Sequence, residues 1–312
     1  MILKPNGLPV LSKQRLEEFA DIHTHWFTEA NGTKDPKFSA WEFATEYLRK
    51  KVSYEWLSND GSILGASSFV DNTPIPVYNP ETDKVRRQAM GKGTILLDWR
   101  LDSTEEMQAK RARFTLMHEC AHHLLHQAYY SRLALSEDGA KVAYSVQRNE
   151  ATRISFSGNE TPWSDEQWLE WQANYLAGAL LMPTDRLNSM LRDTCLLEEY
   201  RLQSRSARTE IGAFDFLAMR LAGEFGVNRP TARIRLEQSG FQRQKFAPDY
   251  SASIRHMAPP PVERKSQLQL DNERTIAELE EKYLDPDYIF TTEVDKNVKK
   301  SARRRERCKK AT

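Results

Sequence analysis

Among 312 residues there are only three cysteines, Cys120, Cys195 and Cys308, an odd number without paired spacing. That argues against a disulfide framework and for a reducing compartment. No stretch reaches the run of about 18 apolar residues that a membrane helix requires. The opening MILKPNGLPVLSKQRLEEFA turns charged too early to serve as a secretory leader. A cytoplasmic protein is therefore the expectation. There is no internal repeat, no Ser-His-Asp or Cys-His arrangement that the sequence requires, and no glycine-rich phosphate loop, Gly91-Lys92-Gly93 being too short for one. Net charge is nearly absent too, at +1, but it is unevenly spread. Residues 296–310 hold nine Lys or Arg against the single acid Glu306, so a basic tail follows a mildly acidic body.

What is present suits a folded chain. Hydrophobic residues make up 39% and charged residues 29%, enough to bury a sizeable core without disulfides. Apolar positions at helical spacing, Leu16, Phe19, Ala20 and His23, then Trp41, Phe43, Ala44, Tyr47 and Leu48, predict mostly helix over 13–57. The stretches 62–70, 75–78 and 93–99, short and bounded by Gly, Pro and Asn, read as three strands of one small sheet. A long helix is expected over 104–127, opened by Ser103-Thr104-Glu105-Glu106. Residues 129–161 are polar and carry no assignment. Another helix runs from about 162 to Leu181, stopped by Met182-Pro183. Residues 208–240 have a helix-turn-helix look, with Gly226 at a C-cap, Asn228 at an N-cap and Pro230 in the first turn. Ala258-Pro259-Pro260-Pro261 reads as a linker, 268–283 as a short charged helix and the basic tail as a disordered end. The expected segments are 1–60 (helical), 61–205 (catalytic core), 206–245 (helical unit) and 246–312 (linker and tail).

The chemistry concentrates in Phe114-Thr115-Leu116-Met117-His118-Glu119-Cys120-Ala121-His122-His123-Leu124-Leu125-His126. On a helix, residues four apart stack on one face, so His118 and His122 present two imidazoles to one point, two corners of a tetrahedral zinc site. Glu119, one step round, is placed to take a proton from a metal-activated water rather than to ligate. The apolar Leu116, Met117, Leu124 and Leu125 make this a core helix, where an unsatisfied His-Glu-His set would be costly. A third ligand is expected from Leu169-Glu170-Trp171-Gln172-Ala173-Asn174-Tyr175, with Glu170 favoured and Asp165 and Glu166 left open. Asn174, four residues after Glu170, can hydrogen-bond a ligand histidine. His126 shares the face of His118 and His122, but a fourth protein ligand would close the site. It is read as a neighbouring polar residue. Cys120 reads as a small buried hydrophobe, His23, His25 and His256 as ordinary, and His123 carries no assigned role.

Taken together, RFTLMHECAHHLLH (113–126) and EWQANYLAGALLMP (170–183) resemble the ImmA/IrrE family of metallo-endopeptidases. That family shows His-Glu-x-x-His followed by Leu-Leu-His, then Glu-x-x-Ala-Asn running into Leu-Leu-Met-Pro. The strand at 93–98 is similar as well, and the resemblance covers roughly 60–240. It implies an α+β zincin-like fold, a small sheet flanked by helices and followed by the helical unit. It also implies Zn2+ at His118, His122 and Glu170, Glu119 as base, and a protein substrate, a helix-turn-helix repressor. Many relatives carry a second acid where this chain has Gln172, and His123 departs from the usual apolar residue. Against the peptidase stands a DNA- or protein-binding regulator with a structural or vestigial metal site. For it, Arg229, Arg233 and Arg235 of the helical unit are the candidate phosphate contacts, unless that unit packs on the core.

Overall fold

The computed structural model describes residues 2–32, 37–135, 144–148, 163–193, 196, 198–200 and 210–239. The expected linker at 258–261, the helix at 268–283, the basic tail and His256 all lie outside them. The described chain is α+β. A short hairpin, β1 (Ile2–Leu3) and β2 (Pro9–Val10), precedes α1 (Lys13–Asn31). Ser12 caps α1 by accepting from the Arg15 amide, and Gly32, at φ 62°, ends it in the left-handed conformation. A single turn, α2 (Ala40–Glu42), continues as a π-helical turn over Phe43–Tyr47.

The expectation of helix to residue 57 fails at Arg49, whose positive φ of 56° stops it, and Lys51–Glu55 is strand β3. Next come β4 (Ile63–Ser68), β5 (Thr73–Asn79), β6 (Lys84–Met90), β7 (Thr94–Asp98) and a 3-10 turn at Trp99–Leu101. The four-stranded sheet has the order β3-β7-β4-β8, with β8 at Tyr144–Arg148; β3 is parallel to β7 and the other pairings are antiparallel. The 75–78 strand does not join it. It pairs with β6 as a separate hairpin, because Pro74 and Pro76 lack the N–H groups that a strand flanked on both sides must donate. β6 escaped notice because its residues 84–87 are all exposed and leave no apolar alternation to read.

The sheet is covered on both faces, which is why β7 is buried along its whole length. Ile95 and Leu97 point into the main core, while Leu96 and Ala66 meet Ile75, Val77 and Met90 of the β5–β6 hairpin. The main core is filled by α3 (Glu106–Leu125) and α5 (Asp165–Leu181) packed side by side. The predicted long helix is interrupted at His126 (φ −109°, ψ 6°), and a separate α4 (Gln127–Leu133) follows. α5 starts at a reciprocal Ser164–Gln167 capping box and ends at Met182-Pro183, as expected.

α6 (Thr184–Leu191), α7 (Glu210–Phe225) and α8 (Arg229–Gln238) complete the described fold. Asn228 caps α8 and Pro230 sits in its first turn. Phe214, Leu217, Leu221, Phe225, Ala232 and Leu236 share one hydrophobic cluster with α1, α3 and α5. Arg113 of α3 also donates to the Phe38, Phe225 and Gly226 carbonyls. The helical unit is thus packed on the core. No helix among the described residues is long and apolar enough to cross a membrane.

Candidate metal centre

Helical periodicity splits the polar side chains of α3 between two neighbours. Thr115 and Glu119 face β4, His123 faces Phe69 just beyond it, and His118, His122 and His126 face α5. On the α5 side, His118 Nε2 lies 3.0 Å from His122 Nε2, and the Glu170 carboxylate completes a triangle at 3.3 Å from His122 Nε2 and 3.4 Å from His118 Nε2. Ligands about 2.0–2.1 Å from a tetrahedral zinc stand about 3.3–3.4 Å from one another. These three residues form a group able to hold a metal ion, and the two histidines are fully buried. Glu170 Oε2 is buried without a hydrogen-bond partner. An orphaned carboxylate oxygen beside two converging imidazoles is the pattern a cation satisfies.

The electrostatics agree with that geometry. Burial alone would raise the Glu170 pKa, yet the charges of His122 and His118 hold it well below the carboxylate range. Burial likewise opposes a His118 cation, but Glu170 and then Glu119 outweigh it and raise its pKa. Glu170 and His118 thus each favour the charged form of the other.

Each imidazole is held from behind. Asn174 Oδ1 lies 3.0 Å from His118 Nδ1. His126 Nδ1 lies 2.9 Å from His122 Nδ1, and His126 Nε2 is 3.1 Å from Gln172 Oε1. Gln172 Nε2 in turn donates to the Pro9 carbonyl at 2.9 Å. Burial, followed by repulsion from His122, holds the His126 pKa well below the ordinary histidine value. The rivals of Glu170 sit elsewhere: Asp165 bonds Lys4 and Asn6, and Glu166 is exposed.

Glu119 occupies the β4 side, fully buried. Its Oε2 accepts from Ser145 Oγ of β8 at 2.8 Å, while Oε1 has no partner. Gly65 makes room for it, since a Cβ there would stand 2.8 Å from Glu119 Oε1 and 2.8 Å from Thr115 Cγ2. Both nitrogens of His123 are buried without a hydrogen-bond partner, with the ring against Phe69. Tyr130 stacks on Phe69 with its edge toward His122. Burial, and then the Glu170 and Glu119 charges, push its phenol well above the usual pKa. Cys120 is buried and its thiol pKa is raised by desolvation, in line with a packing role.

Ser145, Gln172, Tyr130 and Gly65 were not singled out as site residues from the sequence. For Gln172 a signal existed, its place two residues after Glu170 where relatives carry an acid. Ser145 lay in the unassigned stretch, and Gly65 has its role only through the spacing between β4 and α3.

The arginines of the helical unit separate. Arg229 pairs with Asp215 at 3.1 Å; Arg233 pairs with Asp215 at 3.4 Å and Glu237 at 3.5 Å. Both are exposed. Arg235 is not a surface residue, at 1% exposure. Its guanidinium grips Glu17 at 2.5 and 2.6 Å, Thr184 Oγ1 at 2.8 Å and the Met182 carbonyl at 2.9 Å. That corrects its assignment as a phosphate contact, because the fork is saturated by its own fold.

Residues 100–237 match the family model of peptidase family M78, described as the IrrE N-terminal-like domain. No curated protein is similar enough to the chain to count as a match.

Proposed function

We propose that the chain, whose residues 100–237 match the IrrE N-terminal-like domain model, is a zinc-dependent metallo-endopeptidase with His118, His122 and Glu170 as the metal ligands and Glu119 as the general base. The observation that carries the reading is the convergence of two imidazole nitrogens and one carboxylate within 3.0–3.4 Å, beside a buried carboxylate that has one free oxygen. Three protein ligands leave a fourth position open, which separates catalytic from structural zinc sites. The His₂Glu donor set fits zinc.

Zinc held there supplies Lewis acidity toward a scissile carbonyl and acidifies a water. The remaining steps belong to the chain. Glu119 takes a proton from the attacking water through its free Oε1 and delivers it to the leaving amine. Ser145 holds the other oxygen, so the carboxylate stays aimed through the transfer. Asn174 and His126 keep the two imidazoles oriented. The burial of His118, His122 and Glu119 strengthens each charge interaction there. By family resemblance the substrate is a regulatory protein, a helix-turn-helix repressor.

Purified wild type and Glu119→Gln should each hold zinc, and only wild type should cleave quenched peptide libraries or a repressor encoded nearby. A wild type that keeps zinc but cleaves nothing the variant spares would contradict the assignment. So would a metal-free protein indifferent to His118→Ala. The DNA-binding alternative loses Arg235, and Arg229 and Arg233 are already ion-paired.

A further inference from the structure

His122 has two working edges: Nε2 faces the metal position and Nδ1 faces a run of polar groups. The direction of that run can be read from its far end. The Pro9 carbonyl only accepts, so the Gln172 amide must turn its NH₂ toward it, and that places Oε1 against His126 Nε2. An amide oxygen also only accepts. Hence His126 Nε2 carries the proton of the neutral ring, and His126 Nδ1 is left with its lone pair. Facing it at 2.9 Å, His122 Nδ1 must be the donor. Nε2 of His122 is then unprotonated and free to bind a cation.

We infer that Gln172 and His126 are positioning residues that fix His122 as the Nδ1-protonated tautomer, with the Pro9 carbonyl as the anchor that sets the direction of the chain. The inference rests on the metal reading given above for its purpose, though not for its geometry. Asn174 acts on His118 independently, its oxygen facing His118 Nδ1.

The anchor is well fixed. Leu8 is buried with Phe69, Tyr130 and Leu169, and Gly7 packs where a Cβ would come within 2.8 Å of the Ala128 carbonyl. Asn6 donates to Asp165 at 2.6 Å and Arg132 to the Pro5 carbonyl at 2.6 Å. The N-terminal hairpin, outside the family-matched segment, is thereby part of the support of the centre. The break between α3 and α4 falls at His126 itself.

Long-range ¹⁵N–¹H correlation spectra of the metal-free, histidine-labelled full chain, at a pH where the rings are neutral, read each tautomer directly. Wild type should show His122 protonated on Nδ1 and His126 on Nε2. Gln172→Leu and His126→Phe should release His122 to a tautomer mixture and weaken zinc about 10–100-fold in chelator competition. Gln172→Glu, which still accepts from His126 Nε2–H, should keep the wild-type tautomers. A purely structural role would lower the melting temperature of Gln172→Leu and leave both tautomer and zinc affinity unmoved, overturning the inference. His122 protonated on Nε2 in metal-free wild type would overturn it outright, with no variant needed. If the tautomers are as stated but wild type binds no zinc, the metal reading fails and the positioning chain stands.

Discussion

Gly65→Ala isolates the seating of the proposed base, Glu119, from the holding of the proposed metal. The added methyl would meet Glu119 Oε1 at 2.8 Å, Thr115 Cγ2 at 2.8 Å and Glu119 Cγ at 3.2 Å, where ordinary contacts begin at 3.4 Å. About 0.6 Å must therefore be found in the gap between β4 and α3. Thr115 is β-branched and sits in mid-helix, so its rotamer is stiff. β4 is held between β7 and β8. Glu119 is the group that yields, against its Ser145 hydrogen bond. Overpacking of this kind costs about 1–3 kcal/mol of stability. A displacement approaching 1 Å of a catalytic group costs about a hundredfold in rate. Peptide hydrolysis by Gly65→Ala should therefore fall about 10–100-fold, with zinc content unchanged because His118 and His122 face the opposite neighbour. Quenched-peptide kinetics and elemental analysis on one preparation check both halves. A folded, zinc-loaded Gly65→Ala working at the wild-type rate would refute this placement of the base. Loss of zinc together with activity would refute the division of α3 into two independent faces.

Other perturbations have equally definite outcomes. Ser145→Ala should retain zinc and lose about tenfold in hydrolysis, since one hydrogen bond to a charged group, about 1.5 kcal/mol, aims Glu119; an unchanged rate would deny Ser145 that part. Arg235→Leu leaves the half-buried Glu17 carboxylate with only the Tyr175 and Thr184 hydroxyls and should destabilise the fold by about 3 kcal/mol in chemical denaturation. Burial raises the Glu17 pKa, but Arg235 more than reverses it and the folded value lies below 4.5. The pair's contribution is therefore complete above pH 4.5 and lost as pH falls through the lowered value, so Arg235→Leu should show a shallower acid dependence there. His23, buried and held at about 4 against an ordinary 6.5, should stay neutral in the fold and cost stability as pH drops from 6.5 toward 4. A proton NMR titration of its ring placing the midpoint near 6.5 would contradict its burial. Cys120 should resist alkylation in the native state and react once the chain unfolds, read by mass mapping.

The part of the candidate site that lies along one helix was legible from the sequence, and of the part that depends on two elements only Glu170 and Asn174 were named. His118, Glu119 and His122 follow from a turn of 3.6 residues. Choosing Glu170 over Asp165 and Glu166 needed the family resemblance, because no periodicity says which turn of α5 faces α3. Its consequence for His126 was also hidden: the face it shares was readable, but its partner Gln172 is 46 residues away. Arg235 shows the opposite failure. An arginine in a polar-looking helix reads as surface, and only the fold brings it to Glu17, 218 residues distant. Among the strands, β7 announced itself by its apolar run. β5 was found but placed in the wrong sheet, and β3 was absorbed into a helical reading because Tyr47 and Leu48 stand so close before it. The helix-turn-helix outline of α7 and α8 was right in its caps, Asn228 and Gly226, yet the pair packs on the core shared with α1, α3 and α5.

The metal site itself is most directly tested by anomalous diffraction from zinc-loaded crystals, recorded on both sides of the zinc absorption edge. The account predicts one strong peak enclosed by His118 Nε2, His122 Nε2 and the Glu170 carboxylate, with Glu119 beside it and not in contact. A peak ligated by Glu119 or by His126, or no peak between α3 and α5, would contradict it.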